Sequence, residues 1–187
     1  MSFNMSTEGN GTERPLVPKG LQQAILVHII DYGTHKKVFE GIESEKREVR
    51  LGFLFPRHTM EIEGEQKPLM LSKWCTLSLH PKSALHEVAS SMLGEQLPPT
   101  FDITSLVGRN CMINVVHDTS KKTGKPVDRI GSLAPLMDGI NEMTAPDGSI
   151  KVYSIDSHDA DVFALLGEKE KAIIGESPEF KLLDIPF

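Results

Sequence analysis

Residues 67–80 alternate between apolar and polar side chains over a longer stretch than any other segment of this chain. Alternation with a period of two is typical of a β-strand, because successive side chains point to opposite faces of the sheet. The predicted core face carries Leu69, Leu71, Cys75, Leu77 and Leu79, interrupted by Lys73. The opposite face carries Trp74, the only tryptophan, among small polar residues. The pattern therefore predicts a strand that buries one face and presents an aromatic ring on the other.

Shorter segments with strand-like patterns surround this one. They are residues 23–31, 47–55, 109–117 and 127–133, with a further short strand predicted over 150–155. Residues 81–93 instead carry an apolar stripe at helical spacing, with Pro81 in the first turn and Gly94 at the C-terminal cap. The order is three strands, a helix and two strands. This order is that of the OB-fold, a five-stranded barrel with one helix between its third and fourth strands.

The chain divides into four predicted regions. Residues 1–20 are polar and rich in Gly and Pro, which indicates a flexible arm. Residues 21–136 would form a mainly β, OB-like nucleic-acid-binding domain, with loops at 32–37 and 118–126. Residues 137–175 would be an extension with two short helices, the first capped by Ser157. Residues 176–187 would be a tail.

Composition excludes several classes of protein. The 187 residues hold 20 Lys and Arg against 26 Asp and Glu, so the net charge is −6 and any nucleic-acid site must be a local basic groove. Cys75 and Cys111 lie in apolar segments, which predicts reduced core residues and no disulfide framework. We expect no signal peptide, because the first residues are polar, and no membrane span, because the longest apolar run is short. The expected location is the cytoplasm.

The face of Trp74 is the best candidate for a binding site. A single Trp is more often a core residue, but small neighbours would leave this ring free to stack on a base. Basic residues in the two loops would follow the phosphates, although each pair alone is also typical of a solvated loop. The same alternation places Arg50 opposite the core residues of the second strand. The predicted nucleic-acid-binding residues are Trp74, Tyr32, Lys36, Lys37, Phe39, Arg50, Lys73, Lys121, Lys122, Lys125 and Arg129.

No catalytic or metal-binding pattern competes with this interpretation. The seven histidines are scattered, and none has metal-ligand spacing to a carboxylate. Cys75 with His80 or His117 would be a nucleophile–base pair, but Cys75 lies on the predicted core face. The polar segment 156–159 fits a helix start better than an active site. We therefore predict a non-enzymatic protein without cofactor or metal. The alternative of a small hydrolase is strongly disfavoured, because the sequence offers no catalytic constellation.

The last four residues, Asp184, Ile185, Pro186 and Phe187, combine an apolar ring with two negative groups. A C-terminal carboxylate of this kind is a recurring recognition element. The tetrapeptide resembles the tail tip of bacterial single-stranded DNA-binding proteins, which recruits replication and repair enzymes. The acidic run that precedes the tip in that family is missing here, so the electrostatic part of recruitment should be weaker. The alternative is that Phe187 packs on the domain with Leu182, Leu183 and Ile185.

The chain is also similar to single-stranded DNA-binding proteins of tailed-phage replication modules. The similar segments are Lys19-Gly20, Ile30-Asp31-Tyr32-Gly33-Thr34, Phe39-Glu40-Gly41, Trp74-Cys75-Thr76-Leu77-Ser78-Leu79, Leu106-Val107-Gly108-Arg109 and Asn114-Val115-Val116-His117. This resemblance implies an OB-like core and sequence-tolerant binding of single strands in phage replication, recombination or repair. It transfers no DNA-contact residue, and it is compatible with a homo-oligomer. The alternative is a phage accessory protein that docks on host replication factors through the tail without binding DNA.

Overall fold

Three long antiparallel strands and the segments packed on their two faces make up this protein. The computed structural model describes residues 14–183, with the side chain of Phe39 excepted. The elements in chain order are β1 Gly20–Phe39, β2 Ile42–Ile62, β3 Glu65–Thr76, α1 Ala84–Leu93, a 3-10 turn at Ile103–Leu106, β4 Asn110–Thr119, β5 Pro126–Pro135, β6 Lys151–Tyr153, α2 Ala160–Ala164, α3 Glu168–Glu176 and α4 Pro178–Lys181.

The strands form one open sheet in the order β3-β2-β1-β4-β5, with every pair in this path antiparallel. The short β6 pairs in parallel with β1, next to the stretch that β4 occupies. The prediction of a mainly β chain with a helix between the third and fourth strands is therefore confirmed. The edge strands β3 and β5 approach each other, with Cα atoms of one strand within 8 Å of Cα atoms of the other. Helix α1 packs against both strands.

The first two hairpins are longer than the sequence predicted. The break expected over residues 32–37 is wrong, because β1 continues to Phe39 and turns through Glu40 and Gly41, at φ 50° and 79°. Positive φ at both turn residues matches the twist of the strands, so a tight hairpin forms without the usual Asn-Gly. Pro56 does not end β2 either, since a register shift between Phe55 and Thr59 accommodates it and the strand continues to Ile62.

The main core lies between α1 and the face of the sheet that we call the inner face. It contains Leu51, Phe53 and Phe55 of β2, together with Leu69, Leu71 and Cys75 of β3. The predicted run of β3 to residue 80 is too long, because the strand ends at Thr76 and Leu77 is partly exposed. Helix α1 begins at Ala84 with Ser83 as its N-cap and ends at the predicted Gly94, at φ 71°.

The last residues of the predicted flexible arm are fixed to the sheet. Val17 is fully buried in the main core. Its backbone N–H donates to Oδ2 of Asp128 at 2.7 Å, and its carbonyl lies 2.8 Å from Nε2 of His117. Arg14 forms an ion pair with the same Asp128. Burial and these bonds order residues 14–19, and residues 1–13 lie outside the described part of the chain.

The opposite, outer face of β1 is covered by the C-terminal extension. A second core joins Ile30 and Tyr32 of β1 to Tyr153 of β6 and to residues that follow this strand, namely Ile155, Leu166, Ile174 and Phe180. Part of the predicted tail therefore belongs to the folded extension, because α4 forms over Pro178–Lys181 and buries Phe180. Asp31 holds the extension in place, since it accepts the backbone N–H of Ile155 at 3.1 Å while bound to Arg47. Helix α2 is capped by Asp159 and not by the predicted Ser157, because the Asp159 carboxylate accepts two N–H groups of the first turn.

Candidate nucleic-acid interface

Trp74 lies on the outer face of β3, directly opposite Arg50 of β2. Its side chain is 47% exposed, so it is not a core residue. The ring packs against that of Tyr32, with 4.5 Å between the centroids and 56° between the planes. Because Tyr32 is buried, this contact fixes the orientation of the indole and leaves the rest of its surface accessible.

An open depression of about 480 Å³ lies beside this ring. Its lining residues are Tyr32, His35, Lys37, Glu48, Trp74 and Ile173, and we call it the Trp74 depression. The Lys37 ammonium donates to Oε1 of Glu48 at 2.6 Å, and Nε2 of His35 lies 2.8 Å from the carbonyl of Tyr32. The site thus combines one stacking surface with one cation and its counter-charge. This chemistry suits a base with an adjoining phosphate.

Two of the predicted contact residues are covered. Tyr32 is only 2% exposed, and its hydroxyl donates to Oε1 of Glu170 in α3 at 3.1 Å. The Arg50 guanidinium forms an ion pair with the same carboxylate and lies 5.8 Å from the centroid of the Tyr32 ring. Burial raises the pKa of Tyr32 well above its usual value. Both groups are used in attaching α3 to the sheet, so Tyr32 is buried at the edge of the depression and the Arg50 side chain is only 21% exposed.

Helix α3 is held by one acidic side chain. Oε2 of Glu170 accepts the N–H of Gly167 at 2.8 Å, while Oε1 accepts from Tyr32 and Arg50. The residues one turn later share the same side of the helix, since positions three and four apart are neighbours. Ile174 is fully buried in the second core, and Ile173 lines the depression with 41% of its surface exposed.

The remaining predicted cations do not join this site. Lys36 follows the opposite face of the hairpin from Lys37 and lies 3.9 Å from Glu45. Lys73 is opposite Leu51 in the ladder, so it shares the inner face and is partly buried.

The basic turn between β4 and β5 lies elsewhere on the sheet. Lys121, Lys122 and Lys125 are exposed, and Arg129 pairs with Asp118 at 3.3 Å. β4 passes the first residue of β1 at Val115 and continues to Thr119, so this turn lies beyond the start of β1. Lys37 lies near the other end of β1. The two basic groups therefore flank the sheet and do not form one cluster.

Two parts of the predicted site lie wholly or partly outside the described residues. The backbone of Phe39 ends β1, but its side chain is outside the description. The tail residues Asp184, Ile185, Pro186 and Phe187 lie outside it entirely. Leu183, the last described residue, packs against the second core.

Three titratable groups elsewhere are buried and have shifted pKa values. Burial raises the pKa of Cys75 to about 11 and that of Cys111 to about 12, so both thiols stay protonated. His28, beneath the extension, has its pKa lowered to about 4 by burial, with Arg50 and Lys151 adding to the effect. Residues 14–183 contain no group of side chains suited to a metal ion. Within the same range no helix has the length and apolarity to cross a membrane.

Sequence reasoning missed four residues of the interface: His35, Glu48, Glu170 and Ile173. Alternation within the predicted strand 47–55 already placed Glu48 on the face of Arg50, and extending the first strand would have placed His35 on the face of Lys37. Only the register shift between Asp31 and Gly33 brings that face to Tyr32. The other two carry no local signal, since α3 is about a hundred residues from β3 in sequence.

No protein-family description matches this chain. A search of curated proteins gives no significant match either.

Proposed function

We propose that this protein binds single-stranded DNA without marked sequence preference, as part of a phage or prophage replication and recombination module. The observation that carries the proposal is Trp74. The ring stands half exposed, braced by Tyr32, in an open depression that also contains Lys37. Every base has a flat face to stack on such a ring, and a neighbouring cation attracts the phosphate without selecting a sequence.

The fold supports the same proposal. We infer an OB-fold-like barrel that is open between β3 and β5. The strand order β3-β2-β1-β4-β5, the position of α1 between β3 and β4 in sequence, and its packing against both edge strands agree with that architecture. OB-folds are partly open barrels that bind oligonucleotides across the face of their second and third strands. Trp74 lies on the third strand of this chain.

The direct test is fluorescence anisotropy with a labelled oligo-dT strand and the matching duplex over a range of salt concentrations. We expect binding of the single strand at low salt, weaker binding of the duplex and a steep loss of affinity with added salt. Bound DNA should quench the fluorescence of Trp74, which is the only tryptophan. Equal affinity for both forms, or none at low salt, contradicts the proposal.

The recruitment function of the tail is the second part of the proposal. Residues Asp184 to Phe187 would present a ring and a carboxylate to a basic, apolar pocket of a replication or repair protein. Pull-down of such proteins with the full-length chain and with a Phe187 deletion tests it. We expect the deletion to abolish capture while leaving the melting temperature and the DNA affinity unchanged. Equal capture by both proteins contradicts the role of the tail.

One observation favours the alternative, an accessory protein that uses the tail but does not bind DNA. Glu170 occupies the Arg50 guanidinium and the Tyr32 hydroxyl, so the outer face offers fewer cations than the sequence predicted. The anisotropy experiment also decides between the two functions, because the accessory protein would capture partners without binding oligo-dT.

A further inference from the structure

We propose that Ile173 of the C-terminal extension forms the second wall of the base-binding site, opposite Trp74. This inference rests on the proposed function and extends it: the extension would be a working part of the DNA site and not only a cover for the sheet. A base in the Trp74 depression would contact the indole on one side and the Ile173 side chain on another.

Ile173 lines the same depression as Trp74, and 41% of its surface is exposed beside a ring that is 47% exposed. Two large apolar groups that line one open space both lose contact with water when a flat ring enters that space.

Ile173 is held in place before any ligand arrives. The neighbouring Ile174 is fully buried, and Glu170 one turn earlier binds Arg50 and Tyr32. α3 therefore cannot turn Ile173 away without breaking an ion pair and uncovering the second core. A preorganised wall contributes to affinity because little conformational freedom is lost on binding.

The rim of the depression is polar. Glu48, Lys37 and His35 line it, and the Lys37 ammonium donates to the Glu48 carboxylate at 2.6 Å. These groups can meet the polar edge of a base and its phosphate, while Trp74 and Ile173 meet the apolar face. The occupant that this combination fits is a single unpaired nucleotide.

The test compares Ile173→Ala with Leu165→Ala, a matched control in the same extension. Leu165 is an exposed apolar residue that does not line the depression. We expect Ile173→Ala to weaken oligo-dT binding about fivefold, in line with the loss of a partly buried aliphatic side chain, and Leu165→Ala to leave it unchanged. Ile173→Phe should tighten binding, because a ring adds stacking area.

A second ligand separates base contact from a general effect on the chain. An oligonucleotide of abasic residues keeps the phosphates but offers no ring, so Ile173→Ala should bind it as well as the unaltered protein does. Thermal melts of all variants should agree within the error of the measurement.

Each outcome is decisive. If Trp74→Ala weakens oligo-dT binding but Ile173→Ala does not, the inference is wrong and the proposed function stands. A clear drop in the melting temperature of Ile173→Ala would make Ile173 a packing residue and overturn the inference. An equal loss of abasic and oligo-dT binding would overturn it too. If the unaltered protein binds no single strand, both the proposed function and the inference fall.

Discussion

The outer face of the sheet has two halves with similar sequence patterns but different exposure to solvent. On β1 and β2, Tyr32 and Arg50 point outward and bind Glu170 of α3, which leaves Tyr32 2% exposed and the Arg50 side chain 21% exposed. On β3, Trp74 also points outward, directly opposite Arg50 of the neighbouring strand β2, and remains half exposed. This difference in exposure depends on how much of the outer face the C-terminal extension covers, and not on the strands themselves. An outward-facing aromatic residue is a binding surface only where no other segment of the chain needs it for packing.

The attachment of the covered half can be broken at Asp31. Its carboxylate is buried and accepts from Arg47 and from the N–H groups of Gly33 and Ile155. We expect Asp31→Asn to lower the free energy of unfolding by about 3–5 kcal/mol, because it removes one partner of a buried ion pair. Urea unfolding followed by circular dichroism measures this value.

Asp156→Asn provides the matched control. Asp156 binds the same Arg47 at 2.9 Å, but its side chain is largely exposed. The expected loss is about 0–1 kcal/mol. If the two substitutions cost the same, Asp31 does not anchor the extension in the way described.

Burial in the covered half should also make the free energy of unfolding depend on pH. His28 is buried, with a pKa lowered from 6.5 to about 4, so the unfolded chain binds a proton more readily than the folded protein. Stability should therefore be complete above about pH 6.5 and fall between pH 6.5 and 4, by about 3 kcal/mol from this group. Urea unfolding at several pH values tests this.

The contribution of His28 is isolated by comparing its variant with the unaltered protein. His28→Gln should flatten the pH dependence in this window. An identical slope in the His28 variant would contradict the assignment.

Substitutions of Trp74 and Tyr32 compare the exposed half and the covered half directly. Trp74→Ala should weaken oligo-dT binding by about 1–3 kcal/mol with a small change in stability. Tyr32→Phe should leave DNA affinity unchanged and lower stability by about 1 kcal/mol, since it loses the bond to Glu170. Anisotropy and thermal melts of both variants separate the two effects. A DNA defect in Tyr32→Phe would show that the covered half opens on binding.

The smallest expected effect distinguishes the two faces of the first hairpin. Lys37 lines the Trp74 depression, whereas Lys36 lies on the opposite face. Lys37→Gln should reduce the slope of log affinity against log salt by about 0.7, the value for one phosphate contact on a single strand. Lys36→Gln should leave the slope unchanged. Equal slopes for both variants would remove Lys37 from the path of the DNA.

The sequence by itself determined the strands, the central helix and the inner core. Period-two alternation identified Leu69, Leu71 and Cys75 as buried, and Gly94 ended α1 where expected. It also placed Trp74 on the face opposite the core. These features are local, because alternation and caps depend on neighbouring residues only.

The tertiary structure alone decided which outward residues stay accessible. Glu170 pairs with Arg50 across 120 residues, and Ile173 of the same helix lines the depression beside Trp74. No periodicity in α3 signals either placement, since burial of the outer face depends on which distant segment packs there and on the ion pair that holds it. The same reason explains why Tyr32 and Trp74, in contact with each other, differ so widely in exposure.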